Sequence, residues 1–320
     1  MKKLSLLVVV VLILTGITSA FAEDITIAGI VFQDDEFMQT LIKGMQDACD
    51  DKGAVLVSDN TNNDIAREAE LINTYVGQGV SGICIAPLDP TASIATLKTA
   101  DEAGVPVSTV NMGLEGVDFL VGGYTSDDKV NGATIGAYAA EWIKEKYDRP
   151  IKIAILHFDH QLPVQSQDRY NGFLDALTEA GIEFEVVADF GAEKADTALA
   201  AANDIITANP DIDIFYGAND GGITGATQAI LQSGMAGKMF SFGYDATEVL
   251  TALLLDDNDI LQGVVIQDPY KQGYDSASLL IDYINGTVTE KAGNTTVTPG
   301  ALLVRSEPEA VQEYIDSHYK

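Results

Sequence analysis

Two stretches of the chain read alike: Gln78 to Pro87, QGVSGICIAP, and Pro210 to Asn219, PDIDIFYGAN. Each is a short apolar run of β-forming residues that ends in a polar loop, the form of a strand buried on both faces. Runs of the same kind stand at Ile25 to Val31, Val55 to Ser58, Gly82 to Ala86, Val107 to Val110 and Phe119 to Val121. They return at Ile151 to Leu156, Phe184 to Ala188, Ile212 to Tyr216, Met239 to Gly243 and Leu261 to Ile266. Between them lie stretches of helical period. Met38 to Lys52 carries Leu41, Met45 and Ala48 on one stripe, and Tyr170 to Ala180 carries Phe173, Leu174 and Leu177. Alternating strands and helices predict an α/β protein whose parallel sheet is covered on both faces. The pattern is interrupted at Gly122 to Asp128 and then starts again, which predicts two doubly wound parallel-sheet lobes. In such sheets ligands sit beyond the carboxyl ends of the strands, where loops from both lobes converge.

The N-terminus has a different composition. Lys2 and Lys3 precede an apolar core from Leu4 to Ile17, and Ala20-Phe21-Ala22 gives a small-residue cleavage signature. Residues 1–22 therefore read as a signal peptide, because the apolar core is shorter than the ~20 residues a spanning helix needs. No Cys stands near the cleavage site to carry a lipid anchor. The expected product is freely soluble outside the cytoplasmic membrane, with no membrane insertion after cleavage.

Lys and Arg number 18 against 48 Asp and Glu, a formal net charge of −30. Such a surface repels phosphate backbones and anionic lipid and argues against nucleic acid as a partner. The two cysteines, Cys49 in a helical stretch and Cys84 in an apolar strand, read as small core residues. A disulfide between them is not expected.

The familiar catalytic groupings are missing. Val31-Phe32-Gln33-Asp34-Asp35 follows the first strand where a dinucleotide-binding chain would place G-x-G-x-x-G. Neither a phosphate-binding G-x-x-x-x-G-K-[ST] loop nor a G-x-S-x-G elbow occurs. His157-Phe158-Asp159-His160 is the best metal candidate, but the one further histidine is His318 near the tail. A closed zinc shell would have to draw carboxylates from elsewhere. No metal and no cofactor is expected, and the chain does not read as an enzyme.

The strand ends carry planar polar groups interleaved with aromatics. Asp34-Asp35-Glu36-Phe37-Met38 follows the first strand and Asn111-Met112 the fourth. The second half supplies Gln165 to Arg169, Asp189-Phe190, Ala218-Asn219-Asp220, Gly243-Tyr244-Asp245 and Ile266-Gln267-Asp268. Carboxylates, carboxamides and a guanidinium each offer two co-planar hydrogen-bonding atoms that match vicinal hydroxyls. Aromatic rings stack on the C–H faces of the same sugar ring. Each residue has a plainer reading as well: Asp35 or Asn219 as a helix N-cap, Phe37 and Trp142 as core, Arg169 as a surface ion pair.

On these residues, from Asp24 to about Arg305, the chain resembles the periplasmic sugar-binding proteins of the ribose and glucose/galactose type that serve ABC importers. The resemblance implies a type I periplasmic binding protein fold, two lobes joined by a three-stranded hinge. It implies ligand contacts at Asp35, Phe37, Asn111, Arg169, Phe190, Asn219, Asp245 and Gln267, with Asp34, Met112, Gln165 and Phe158 as secondary candidates. Loss of Asp35 or Arg169 is then expected to weaken binding while leaving the fold intact. Met112 stands where the ribose branch has a second Arg. The calcium loop of the glucose/galactose branch has no counterpart between Glu145 and Ile153, and His157 and His160 do not fall at that branch's spacing from Arg169. By the same analogy one lobe comprises residues 23–126 and 268–301, the other 127–267 and 302–320.

The resemblance implies a periplasmic solute-binding protein that captures a monosaccharide, hexose or pentose, and delivers it to the membrane subunits of an importer. One alternative is a sensory protein that presents a furanose signal or a nucleoside to a chemoreceptor or kinase. Another is an exported α/β hydrolase using His157, Asp159 and His160. A regulator of the lactose-repressor type shares the fold but would need a helix-turn-helix before Ile25, where the signal peptide stands instead.

Overall fold

The computed structural model describes residues 25–318, so the signal-peptide expectation lies outside the described residues. The apolar runs form two six-stranded sheets. The first contains β1 (Thr26–Val31), β2 (Val55–Asn60), β3 (Gly82–Ile85), β4 (Val107–Val110), β5 (Gly122–Ser126) and β11 (Thr296–Thr298). The second contains β6 (Ile151–His157), β7 (Phe184–Gly191), β8 (Ile214–Gly217), β9 (Phe240–Tyr244), β10 (Leu261–Ile266) and β12 (Ala301–Val304). Their orders are β11-β5-β4-β3-β1-β2 and β12-β10-β9-β8-β6-β7. The first is wholly parallel, and in the second only the β10/β12 pair is antiparallel. The two stretches that read alike, β3 and β8, hold the same place in the two sheets.

Ten helices among the described residues cover these sheets: α1 (Glu36–Lys52), α2 (Ile65–Gln78), α3 (Ile94–Glu102), α4 (Asp128–Lys146), α5 (Pro163–Glu179), α6 (Ala195–Ala208), α7 (Asp220–Gln232), α8 (Glu248–Leu255), α9 (Pro269–Ile284) and α10 (Pro308–His318). Side-chain oxygens cap several of them. Asp35, Asp64, Asp127, Asn219 and Asp268 each accept a backbone N–H from the first turn, satisfying donors that have no partner within the helix.

The chain passes from one sheet to the other three times. It leaves the first at β5/α4, returns at β10/α9, where α9 packs on α1, and crosses finally between β11 and β12. Two of these connections are tied where the Ser126 hydroxyl donates to Gln267 Oε1 at 2.6 Å. The third is held where Gly300 N–H donates to Asn131 Oδ1 at 3.2 Å.

Two helix pairs approach unusually closely, for a reason visible in the residues. A Cβ on Gly132 of α4 would lie 2.1 Å from the Arg169 carbonyl oxygen of α5, and one on Gly172 of α5 would lie 2.3 Å from Lys129 O of α4. Gly44 and Gly273 do the same for α1 and α9, each 2.1 Å from a backbone oxygen of the other helix. The core inside the second sheet is aromatic. Phe173 stacks on Tyr216 at 4.3 Å, and the half-buried Trp142 packs edge-on against Phe240 at 4.7 Å. Trp142 is thus a core residue. Cys49 and Cys84 are buried free thiols.

The strand expected at Phe119 to Val121 lies one step later. Those three residues are buried approach chain; Val121 N–H already donates to Val107 O at 2.8 Å, and β5 itself runs on from Gly122, opposite Ser108 of β4. Glycine lowers strand propensity, yet a Cβ at Gly123 would meet Thr109 O at 2.2 Å. The apparent interruption is therefore a strand whose backbone must lie close to its neighbour. The helix expected at Tyr170 to Ala180 is the second part of α5, which starts at Pro163.

Candidate ligand-binding site

Residues from both lobes converge at the carboxyl ends of the strands around a cavity of about 40 Å³. A wider groove of about 830 Å³ adjoins it and shares Phe37, Asp245 and Gln267. On the first-lobe side, Asp35 caps α1 through a 2.8 Å bond from Met38 N–H, and Phe37 is buried in the following turn. Asn111 follows β4 directly with φ 65°, and Asp245 follows β9 with φ 70°. β4 and β9 occupy equivalent places in the two sheets. Both residues adopt the left-handed conformation, which among non-glycine residues Asn and Asp tolerate best.

Arg169 is the hub of the second-lobe side. It is 4% exposed, and its guanidinium donates to Asp128 Oδ1 at 2.7 Å, to Ala218 O at 3.0 Å and to Gln267 Oε1 at 3.2 Å. Its plane lies over the Tyr244 ring at 4.1 Å and faces Phe158 at 5.2 Å. Gln267 passes the network on, donating to Asp245 Oδ1 at 2.7 Å. Across the cleft, the Gln165 amide donates to Asn111 O at 3.2 Å.

Burial sets the electrostatics. It pushes the Asp35 carboxyl up from 3.8 to about 6, with Asp245 and Asp34 adding to the rise and the Met38 and Gln33 hydrogen bonds opposing it. Asp220 is raised well above the carboxylate range by burial and then by Asp245 and Asp35. Asp245 is raised by burial too, against the pull of Arg169 and the Gln267 hydrogen bond.

For Asp35 the sign of the stability effect follows. The folded protein holds this proton more tightly than the unfolded chain, so stability from this group is full below about pH 4 and is lost as pH rises through about 6. The melting temperature of the ligand-free protein is expected to fall between about pH 4 and pH 6 more steeply than that of Asp35→Asn, which keeps a capping oxygen. Parallel melting profiles for the two proteins would contradict a raised Asp35.

Of the residues singled out in the sequence, Asp35, Phe37, Asn111, Arg169, Asn219, Asp245 and Gln267 all line the cavity, as do Gln165 and Phe158. Asn219 does so while capping α7, its oxygen accepting Gly222 N–H and its amide donating to Glu193 O. Three residues fall elsewhere. Phe190 is 53% exposed near the end of β7, an edge strand, and does not line the cavity. Phe158, after the more central β6, is the second-lobe ring that lines the cavity. Met112 is buried in the core behind Asn111. Asp34 is exposed and accepts from the Gln39 amide at 2.9 Å on an outer groove. The cavity also includes Phe32, Gln33, Gln161 and Leu162, which the sequence reading passed over although they extend the loops after β1 and β6 already singled out.

The family model of the periplasmic binding protein domain matches residues 27–287. The chain belongs to the periplasmic binding protein family. An ABC transporter periplasmic-binding protein of Escherichia coli K12 is 30% identical over 261 residues, covering 79% of this chain and 78% of that protein. A ribose import binding protein of Bacillus subtilis is 27% identical over 263 residues, covering 80% of each. Among solved structures, a carbohydrate transporter solute-binding protein from Agrobacterium radiobacter in complex with D-arabinose aligns with TM-score 0.81 and 23% identity, covering 93% of this chain and 100% of that one. A solute-binding protein from Bacillus halodurans with bound myo-inositol aligns at 0.80 and 21%, covering 92% and 98%.

The periplasmic binding protein family consists of binding proteins rather than enzymes. The residues of the hydrolase alternative are occupied with one another and with neighbouring carboxylates. His157 pairs with Asp159 and Asp189, and His160 with Glu193, in short-range pairs none of whose members lines the central cavity. Among the described residues no helix is long and apolar enough to cross a membrane.

Proposed function

We propose that this protein works in the periplasm, where it captures a monosaccharide or a cyclic polyol of similar size between its lobes and delivers it to the membrane subunits of an ABC importer. The observation that carries this reading is the cavity itself. It is small, it is reached from both lobes, and planar carboxylates and carboxamides surround it beside Phe37 and Phe158. Asp35, Asn111, Arg169, Asn219, Asp245 and Gln267, with Gln165, are assigned to the ligand's hydroxyls, and Phe37 and Phe158 to its C–H faces. The names of the relatives point the same way.

Contacts made by both lobes at once exist only when the cleft is closed, so ligand shifts the population toward closure. Three further bonds span the mouth. Glu36 of α1 accepts the Glu248 N–H at the start of α8 at 2.7 Å, and the Gln161 amide donates to Gln33 and to Asn63. A carboxylate at a helix N-terminus is favourable twice over, by charge and by hydrogen bond. Glu36→Ala is expected to weaken ligand binding about fivefold without touching the ligand, because the closed form loses about 1 kcal/mol. Unchanged affinity by calorimetry would remove Glu36 from the closing contacts.

A thermal-shift panel of aldoses, cyclic polyols and nucleosides tests the function directly. A ligand present at a hundredfold excess over its Kd adds ~2.7 kcal/mol to stability. A clear rise with a sugar or polyol is expected. A rise with nucleosides alone would overturn the reading.

A further inference from the structure

Resting on that reading, we propose that the preferred ligand carries a protonated amine: an amino sugar or aminopolyol rather than its neutral parent. The argument is the balance of donors and acceptors around the cavity. Apart from the Asn111 amide, the side-chain N–H groups that face it are each bonded within the protein. Those of Arg169 go to Asp128, Ala218 O and Gln267, and the amides of Gln267, Gln165 and Gln33 donate to Asp245, Asn111 O and Asp35. The positive charge of Arg169 is matched by the nearly buried Asp128.

What remains is a surplus of negative charge. Asp35 caps α1, Asp220 opens α7 and Asp245 ends β9, so three elements from two lobes bring carboxyl groups to one space. None of the three forms an ion pair within the described residues; the one ion pair of Arg169 is with Asp128. They repel one another across the gap: Asp245 raises the proton affinity of Asp35, and both raise that of Asp220. Asn111 adds an independent sign of a missing partner. It is 4% exposed, it lines the cavity, and its carboxamide has no hydrogen-bond partner among the described residues.

A hydroxyl offers one donor and no charge. An ammonium offers three donors and a full positive charge, and it has no lone pair to set against a carboxylate. Placed among Asp35, Asp220 and Asp245 it answers both the surplus of acceptors and the like-charge repulsion that otherwise opposes closure of the empty cleft. Hydrogen bonds between charged groups exceed neutral ones by enough to make the preference about tenfold or more.

The test compares matched compounds by calorimetry at neutral pH and low salt. Glucose, galactose, ribose and myo-inositol are each measured against derivatives in which one hydroxyl is replaced by an amine, and against the corresponding N-acetyl compounds. At least one amine is expected to bind about tenfold tighter than its parent, with the advantage lost on N-acetylation. Asp220→Asn is expected to reduce the amine-to-parent ratio, a quantity independent of how much of the variant is folded. If every parent that binds does so at least as tightly as all its amines, the inference is overturned while sugar capture stands. If neither class binds, both fall together.

Discussion

Arg169→Met is expected to abolish ligand binding and to destabilise the ligand-free protein as well. Methionine keeps the apolar stem of the side chain but removes the guanidinium that lies over Tyr244 and is, among the described residues, the cation bonded to Asp128. Breaking a buried pair in this way typically costs about 3–5 kcal/mol, because the remaining charge is left without a counterpart. Ala218 O and Gln267 Oε1 lose a donor at the same time. Binding should fall by a factor on the order of a thousand, since the network that orients Gln267 and Asp245 is broken where the lobes meet. The expectation from sequence, that the fold would be untouched, fits Arg169 as a ligand contact or a surface ion pair, the two readings open there. Its burial makes it part of the frame. The double variant Arg169→Met with Asp128→Asn separates the roles: it should recover much of the stability and none of the binding. A single variant that melts like the parent protein would show that the ion pair does not support the fold.

Gly172→Val is expected to be nearly as severe, for a steric reason. The first carbon it adds would lie 2.3 Å from Lys129 O, a backbone atom in the facing helix that cannot rotate aside. Overpacking of this kind costs ~3 kcal/mol or more. Arg169 lies one turn earlier on the same helix, so separating α4 from α5 also moves the guanidinium away from Asp128, and affinity should fall with stability. Gly77 provides the control. It sits near the end of α2 with nothing within 4 Å of the position a methyl group would take, and Gly77→Ala should raise stability by about 0.5–1 kcal/mol. Equal melting temperatures for the two variants would refute the close-approach account.

Several parts of this arrangement can be read from the residues themselves. Apolar β-branched runs such as Ile25 to Val31 mark parallel strands, and the paired stretches ending at Pro87 and Asn219 mark the repetition of the lobe. Asp35 was legible both as a cap and as a strand-end polar group, and the structure uses it in both ways at once. Other parts depend on strand order. Phe158 and Phe190 both stand near strand ends in the second lobe, and nothing local separates them. Only the order β8-β6-β7 puts the first beside the cleft and the second on the edge. Strand β5 was hidden because its opening glycines answer to a neighbouring backbone rather than to propensity. The short β11 was hidden because Thr296–Thr298 is mostly exposed and carries no apolar signature, and β12 because its apolar run, Ala301–Val304, is only four residues long.

The order in which the chain visits its sheets has a consequence for how it is made. The first sheet receives its last strand, β11, only after the whole second sheet except β12 has been synthesised, and α1 waits equally long for α9 to cover it. A ribosome adding ~5–20 residues per second therefore leaves the leading half of the chain without its edge strand and without one of its covering helices until nearly the end. Neither lobe has all its strands until β11 and β12 are made. Both reach completion together, in the final stretch of the polypeptide, so a chain that stops short of β11 and β12 leaves both sheets, and not one of them, without an edge.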